Sequence, residues 1–148
     1  EAGRADIPTI LQYRTFAKHD SLYNTPPTFA IYLMGLVLEW IEGLGGLDVI
    51  EARNRAKAAA IYDAIDASPA FYRCPVEVGS RSLMNVTFRL PTPEAETRFL
   101  AEASAHGMTG LAGHRSVGGI RASLYNAVEP AWAQALASLM RDHAMRHG

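Results

Sequence analysis

Residues 113–126, GHRSVGGIRASLYN, gather His114, Arg115 and Arg121 among three glycines, with no acidic residue, lysine or cysteine. A guanidinium offers a planar two-point fork to a carboxylate or a phosphate. An imidazole adds a donor that titrates near neutral pH. Gly118 and Gly119 let another backbone or a ligand approach closely. Two readings are open. The stretch grips an anion, with Arg121 holding a carboxylate and His114 with Arg115 holding a phosphate, or it is a hairpin turn with exposed basic residues. A second stretch, NTPPT at 24–28, has the same duality. A helix starting there presents unpaired N–H groups to an anion, with Asn24 and Thr25 as added donors. Equally, Thr25 is a simple N-cap with Pro26 at the first helical position. Arg81 is either a further anion fork or a solvated strand end.

Other catalytic templates are missing. The five histidines, at 19, 106, 114, 143 and 147, show no HExxH or similar ligand spacing, so no metal site is expected. There is neither a GxxxxGK phosphate loop nor a GxSxG elbow. Asp63 and Asp66 read as surface residues of one helix. The only lysines are Lys18, in an irregular lead-in, and Lys57, in a charged helical run that reads as solvated. The single cysteine, Cys74, excludes a disulfide framework and a cysteine metal site; it reads as a small, partly buried hydrophobe in a reducing cytoplasm.

These groups must be positioned by a chain of 148 residues, 49% hydrophobic and 20% charged, which is one ordinary domain with material for a core. A net charge of −1 and a pI near 6.6 offer no general attraction to nucleic acid or anionic membrane, so anion binding must be local. The most apolar run, Phe29 to Leu38, is about half of the roughly 20 residues a membrane span needs. It reads as a buried core helix over about 26–42, stopped by GLGG at 43–46.

A second helix is expected over about 47–67, its apolar stripe running Leu47, Ile50, Asn54, Ala58, Ile61, Ile65. FYRCPVEV, 71–78, reads as an edge strand and RSLMNVTFRL, 81–90, as the strongest strand, with Met84, Val86, Phe88 and Leu90 on one face. Thr92 and Pro93 open a helix ending at Gly107. MTGLA and GIRASLY read as strands around the glycine loop. A last helix from Pro130 turns Trp132, Leu136, Leu139, Met140 and His143 inward. Residues 1–23 read as an irregular or short-strand lead-in. The order predicts an α/β (α+β) fold, a small mixed or antiparallel sheet covered by helices.

Three motifs in this order, NTPPTFAIYLMGLVLEW, RSLMNVTFRL and GHRSVGGIRASLYNA, joined by segments such as YDAIDASPAFY, closely resemble the C-terminal part of the phosphoserine aminotransferase family. The resemblance runs from about residue 5 to the terminal RHG. It implies a fold-type I enzyme that uses pyridoxal 5′-phosphate and exchanges an amino group between phosphoserine and 2-oxoglutarate, with glutamate as the other amino acid. The pathway implied is serine biosynthesis, and in many bacteria also pyridoxine biosynthesis. It implies a cytoplasmic homodimer with active sites at the subunit interface, and no nucleic-acid or membrane partner. By motif position, Arg121 would hold the substrate α-carboxylate. His114 and Arg115 would reach the distal phosphate or carboxylate, across the dimer interface. Asn24 and Thr25 would bind the cofactor phosphate of the neighbouring subunit.

The resemblance also implies a division: residues 1–27 as the tail of the large cofactor-binding domain or a linker, and 28–148 as the small C-terminal domain. The lysine such chemistry needs lies, in this family, N-terminal to the matched segment. Neither Lys18 nor Lys57 sits in its motif, so no catalytic residue is assigned. The chain, which starts at Glu1 rather than Met, is therefore expected to be a piece of a longer polypeptide, inactive alone and not retaining the cofactor. The competing reading is a non-catalytic anion-binding or dimerisation module with the same small-domain fold.

Overall fold

The computed structural model describes Arg4 and residues 6–148; the part of the predicted lead-in at 1–3 and 5 lies outside the described residues. The chain divides into two compact units, one ending at Gly43 and one spanning Leu44–Gly148.

In the first unit, the lead-in, expected to be irregular or a short strand, holds two short helical segments and no strand among the described residues. A 3-10 turn at Thr9–Leu11 leads into a short helix, α1 (Tyr13–Lys18). Positive φ at Asp20 and Ser21 then turns the chain. Helix α2 (Thr28–Gly43) begins two residues later than expected. Ile31 N–H donates to Pro27 O at 3.1 Å, so Pro27, not Thr25, precedes the first turn. The expectation that this helix is buried is not met. None of its residues is buried, and Phe29 is 72% exposed. A helix apolar on nearly every face needs neighbours on every side, and the described residues of its own unit offer only short helical segments.

The second unit holds the core. Helix α3 (Leu47–Asp66) packs along α5 (Pro130–His147) and against β1 (Asn85–Phe88), which pairs antiparallel with β2 (Ile120–Ser123); buried side chains of all four meet in one core. The register sets Asn85 opposite Ser123 and Thr87 opposite Arg121. With the two-residue period of a strand, Val86, Phe88, Ile120 and Ala122 enter the core, and Asn85, Thr87, Arg121 and Ser123 share the other face. Helix α4 (Pro93–Ala105) starts as predicted: Thr92 Oγ1 accepts from Ala95 N–H at 3.2 Å, and Glu94 and Glu96 sit at the positive end of the dipole. Tyr72, Phe88 and Phe99 meet edge to face at the centre, with centroids 5.5–6.3 Å apart. The buried Tyr72 hydroxyl donates to Met140 O at 2.8 Å, and burial pushes its pKa up.

Five expectations are corrected in this unit. The strand over 71–78 is reduced to one bridge, Arg73 to Arg89, because Pro75 lacks the donor that would extend it. MTGLA likewise supplies a single bridge, Ala112 to Ile120. Leu47 and Trp132, both in first helical turns, are exposed; the buried stripes begin at Ile50 and Ala133. Lys57 is 1% exposed, not solvated.

Candidate functional site

The basic stretch folds as a closed loop at the entrance to β2. The Ala112–Ile120 bridge and the Gly113 N–H to Gly119 O bond, at 2.8 Å, clamp its ends. This closure needs glycine at 113: a Cβ there would lie 2.0 Å from Gly118 O. Inside, Val117 and Gly118 N–H both donate to His114 O, at 2.8 and 2.7 Å. His114 Nδ1 accepts from Ser116 N–H at 3.3 Å and lies 2.7 Å from Ser116 Oγ. Accepting at Nδ1 leaves the neutral ring's proton on Nε2. His114 and Arg115 are exposed at the loop's tip. Among the described residues, Arg115 has no hydrogen-bond or ion-pair partner.

Arg121 stands on the polar face of the sheet, half-buried, with its backbone N–H tied to Leu111 O at 2.8 Å. Its Nε is buried with no hydrogen-bond partner. No carboxylate among the described residues pairs with it. A partly buried guanidinium with no carboxylate partner has the donor chemistry to receive an anion, since an unpaired buried donor gains when something accepts from it. Beside it, Ser123 Oγ donates to Asn85 Oδ1 at 3.2 Å. The loop and strand thus bring Arg121, His114 and Arg115 onto one continuous segment of the second unit.

Asn24 and Thr25 belong to the first unit. Both are exposed just ahead of α2, and neither side chain makes a hydrogen bond among the described residues. An amide, a hydroxyl and a helix N-terminus are a donor set suited to a phosphate. Arg81, the other basic candidate, is already engaged. It forks onto Asp66 at 2.6 and 2.7 Å and lies 4.5 Å over the Tyr62 ring.

Two groups escape the pattern reading. Lys57 Nζ donates to Leu124 O at 3.1 Å and Tyr125 O at 2.7 Å, Asn54 Nδ2 donates to Asn126 Oδ1 at 2.8 Å, and Arg53 pairs with Glu129 at 2.9 Å. One face of α3 therefore fastens the segment that leaves β2. Burial, then the Arg53 charge, lowers the Lys57 pKa, and Glu129 opposes them. The second group is Glu102, His143 and His147, whose ligand atoms lie within 4.8 Å of one another and have the geometry to hold a metal ion. The spacing hid it because the third ligand comes from α4. Glu102 is already shared between Arg146 and His143 Nδ1, the latter at 2.6 Å, and these two partners lower its pKa to about 2. Among the described residues, this cluster ties α4 to α5.

A profile of the family described as aminotransferase class-V matches residues 2–136. The chain is 59% identical over 140 residues to the phosphoserine aminotransferase of Geobacillus kaustophilus, covering 95% of this chain and 39% of that protein. It is 54% identical over 148 residues to that of Herpetosiphon aurantiacus, covering 100% and 41%. Among solved structures, phosphoserine aminotransferase from Bacillus circulans subsp. alkalophilus superimposes with a TM-score of 0.85 at 51% identity, over 96% of this chain and 39% of that one. The pyridoxal-phosphate-bound phosphoserine aminotransferase of Trichomonas vaginalis gives a TM-score of 0.80 at 37% identity, over 93% and 39%. The chain thus spans about two fifths of the length of these curated relatives. No helix among the described residues is long and apolar enough to cross a membrane.

Proposed function

The chain belongs to the class-V aminotransferase family, and from that premise we propose that it is the C-terminal part of a phosphoserine aminotransferase whose share of the reaction is to hold the substrate. The observation that carries this reading is the partnerless, buried Nε of Arg121 on the polar sheet face. In this reading the Arg121 fork binds the α-carboxylate and fixes the Cα end of the amino acid. His114, through Nε2–H, and Arg115 bind the distal group. Phosphoserine carries a phosphate there and glutamate or 2-oxoglutarate a carboxylate, so one two-ended clamp serves both halves of the exchange. The pair acts from the partner subunit of a homodimer.

The cofactor proposed is pyridoxal 5′-phosphate, which supplies the electron sink for moving the amino group when bound. Asn24 and Thr25, with the first turn of α2, hold its phosphate. Neither lysine takes a chemical role. Lys57 Nζ is committed to two backbone carbonyls inside the fold, and Lys18 ends the short helix α1. The test is an assay of the full-length protein, loaded with cofactor, on phosphoserine and 2-oxoglutarate. Glutamate formation by the full-length protein and none by the 148-residue chain is the expected result. Turnover by the 148-residue chain alone, or none by the full-length protein, contradicts it.

A further inference from the structure

We propose that Arg89 is a positioning residue that sets the conformation of loop 113–119 and so aims His114 and Arg115 at the distal anion. The inference rests on the distal-anion reading of that pair given above. Arg89 follows the last residue of β1, and its root is fixed. Its backbone exchanges both hydrogen bonds with Arg73, at 3.0 and 2.9 Å. From there the side chain crosses the loop's two glycines. A Cβ on Gly119 would lie 3.0 Å from Arg89 Cδ and Nε, and one on Gly118 would lie 3.2 Å from a terminal nitrogen. The guanidinium donates to Val117 O, and its other terminal nitrogen lies 3.7 Å from Glu96 Oε1 on α4.

Two comparisons within the molecule give these contacts their meaning. Gly107 and Gly110 also have positive φ, yet a Cβ on either would meet nothing within 4 Å. The 118–119 pair differs in that a side chain already fills the space, so these glycines admit the Arg89 guanidinium as well as the turn. Second, among the described residues every other hydrogen bond of the loop stays within 113–119. Among the described residues, Arg89 is the one side chain from outside that bonds the loop's backbone between its clamped ends. Glu96 offsets its charge, so Arg89 acts through the loop and not as a third anion-binding cation.

The test uses full-length holoenzyme carrying Arg89→Ala, Arg89→Gln, Arg89→Lys or Glu96→Gln. Glutamine and lysine both keep a donor for Val117 O, and glutamine removes the charge. Hydrogen exchange of the 114–118 amides reports loop order without reference to substrate. The expected result for Arg89→Ala is faster exchange in 114–118 and a KM for phosphoserine and glutamate raised about tenfold, the scale of reordering two long side chains on binding. The single-turnover rate with L-alanine, which has no distal anion, stays within about twofold. Arg89→Gln and Arg89→Lys recover most of the loss, and Glu96→Gln gives a partial one. Unchanged exchange in 114–118 overturns the proposal, as does Arg89→Gln behaving like Arg89→Ala, which would make the charge itself the binding group. If Arg89→Ala does not fold, the glutamine, lysine and Glu96→Gln variants carry the same comparison. Should His114→Ala with Arg115→Ala leave both KM values unchanged, the distal-anion reading fails, while the exchange measurement still judges Arg89 separately.

Discussion

Lys57 shows what a side chain's chemical type hides. Its ammonium is buried, yet two carbonyls of the segment leaving β2 accept from it. Replacing it by the similarly long methionine removes that donor. Tyr125 O keeps the Val128 N–H at 2.9 Å, so the main loss falls on Leu124 O. Lys57→Met is expected to destabilise the second unit by about 2–3 kcal/mol, the scale of a charge-assisted bond lost in a buried setting. Urea unfolding followed by tryptophan fluorescence measures this; an unchanged midpoint would remove Lys57 from the framework. Glu102 makes a second prediction at this scale. Its folded pKa is depressed to about 2 by Arg146 and His143, while an unfolded glutamate titrates near about 4.3. Depression means that the stabilisation is fully present above the unfolded value and lost as pH falls through the folded one. The α4–α5 tie should therefore weaken between about pH 4.3 and pH 2. A carboxyl NMR titration of Glu102 with a midpoint near 4.3 would show that the pairing is absent in solution.

At the scale of elements, periodicity made most of the second unit legible. The 3.6-residue stripe of α3 from Ile50 onward, the Thr92–Pro93 start of α4 and the two-residue alternation through Val86 and Phe88 all appear where the sequence puts them. Lys57 lies on that same buried stripe, three residues after Asn54 and four before Ile61, and its charge alone is what makes the sequence read it as solvated. Strand length was less legible, because an isolated run cannot reveal how far a partner extends; 71–78 finds one bridge and then meets Pro75. The Arg121 loop was legible as residue types. Its closure by Gly113 and its filling by Arg89 were not, since both depend on atoms brought together by the fold. The exposure of α2 within this chain is not legible in the sequence, because apolar composition states a need for neighbours without supplying them. Its N-terminal end carries a prediction. In full-length protein, replacing Asn24 and Thr25 with alanine is expected to lower the cofactor retained after dialysis, read from the cofactor's absorbance. A full complement would count against a phosphate site there.

For the whole molecule, two facts have to be held together: a well-packed unit at 44–148, and a chain that spans two fifths of its curated relatives. A core with its own aromatic centre gives the basic loop and strand a rigid support, which is what a binding group needs. In the proposed division of labour these residues bind and orient the substrate, and the lysine chemistry of a transaminase is supplied elsewhere. This division predicts that damage to the site appears as lost substrate affinity. The most direct measurement is the KM of full-length Arg121→Ala for phosphoserine and for glutamate. Losing a charged two-point contact corresponds to about 2–4 kcal/mol, or roughly 30- to 1000-fold in apparent affinity. A rise of that size for both substrates is the predicted result; KM values unchanged for both would contradict the assignment of Arg121, and with it the central claim.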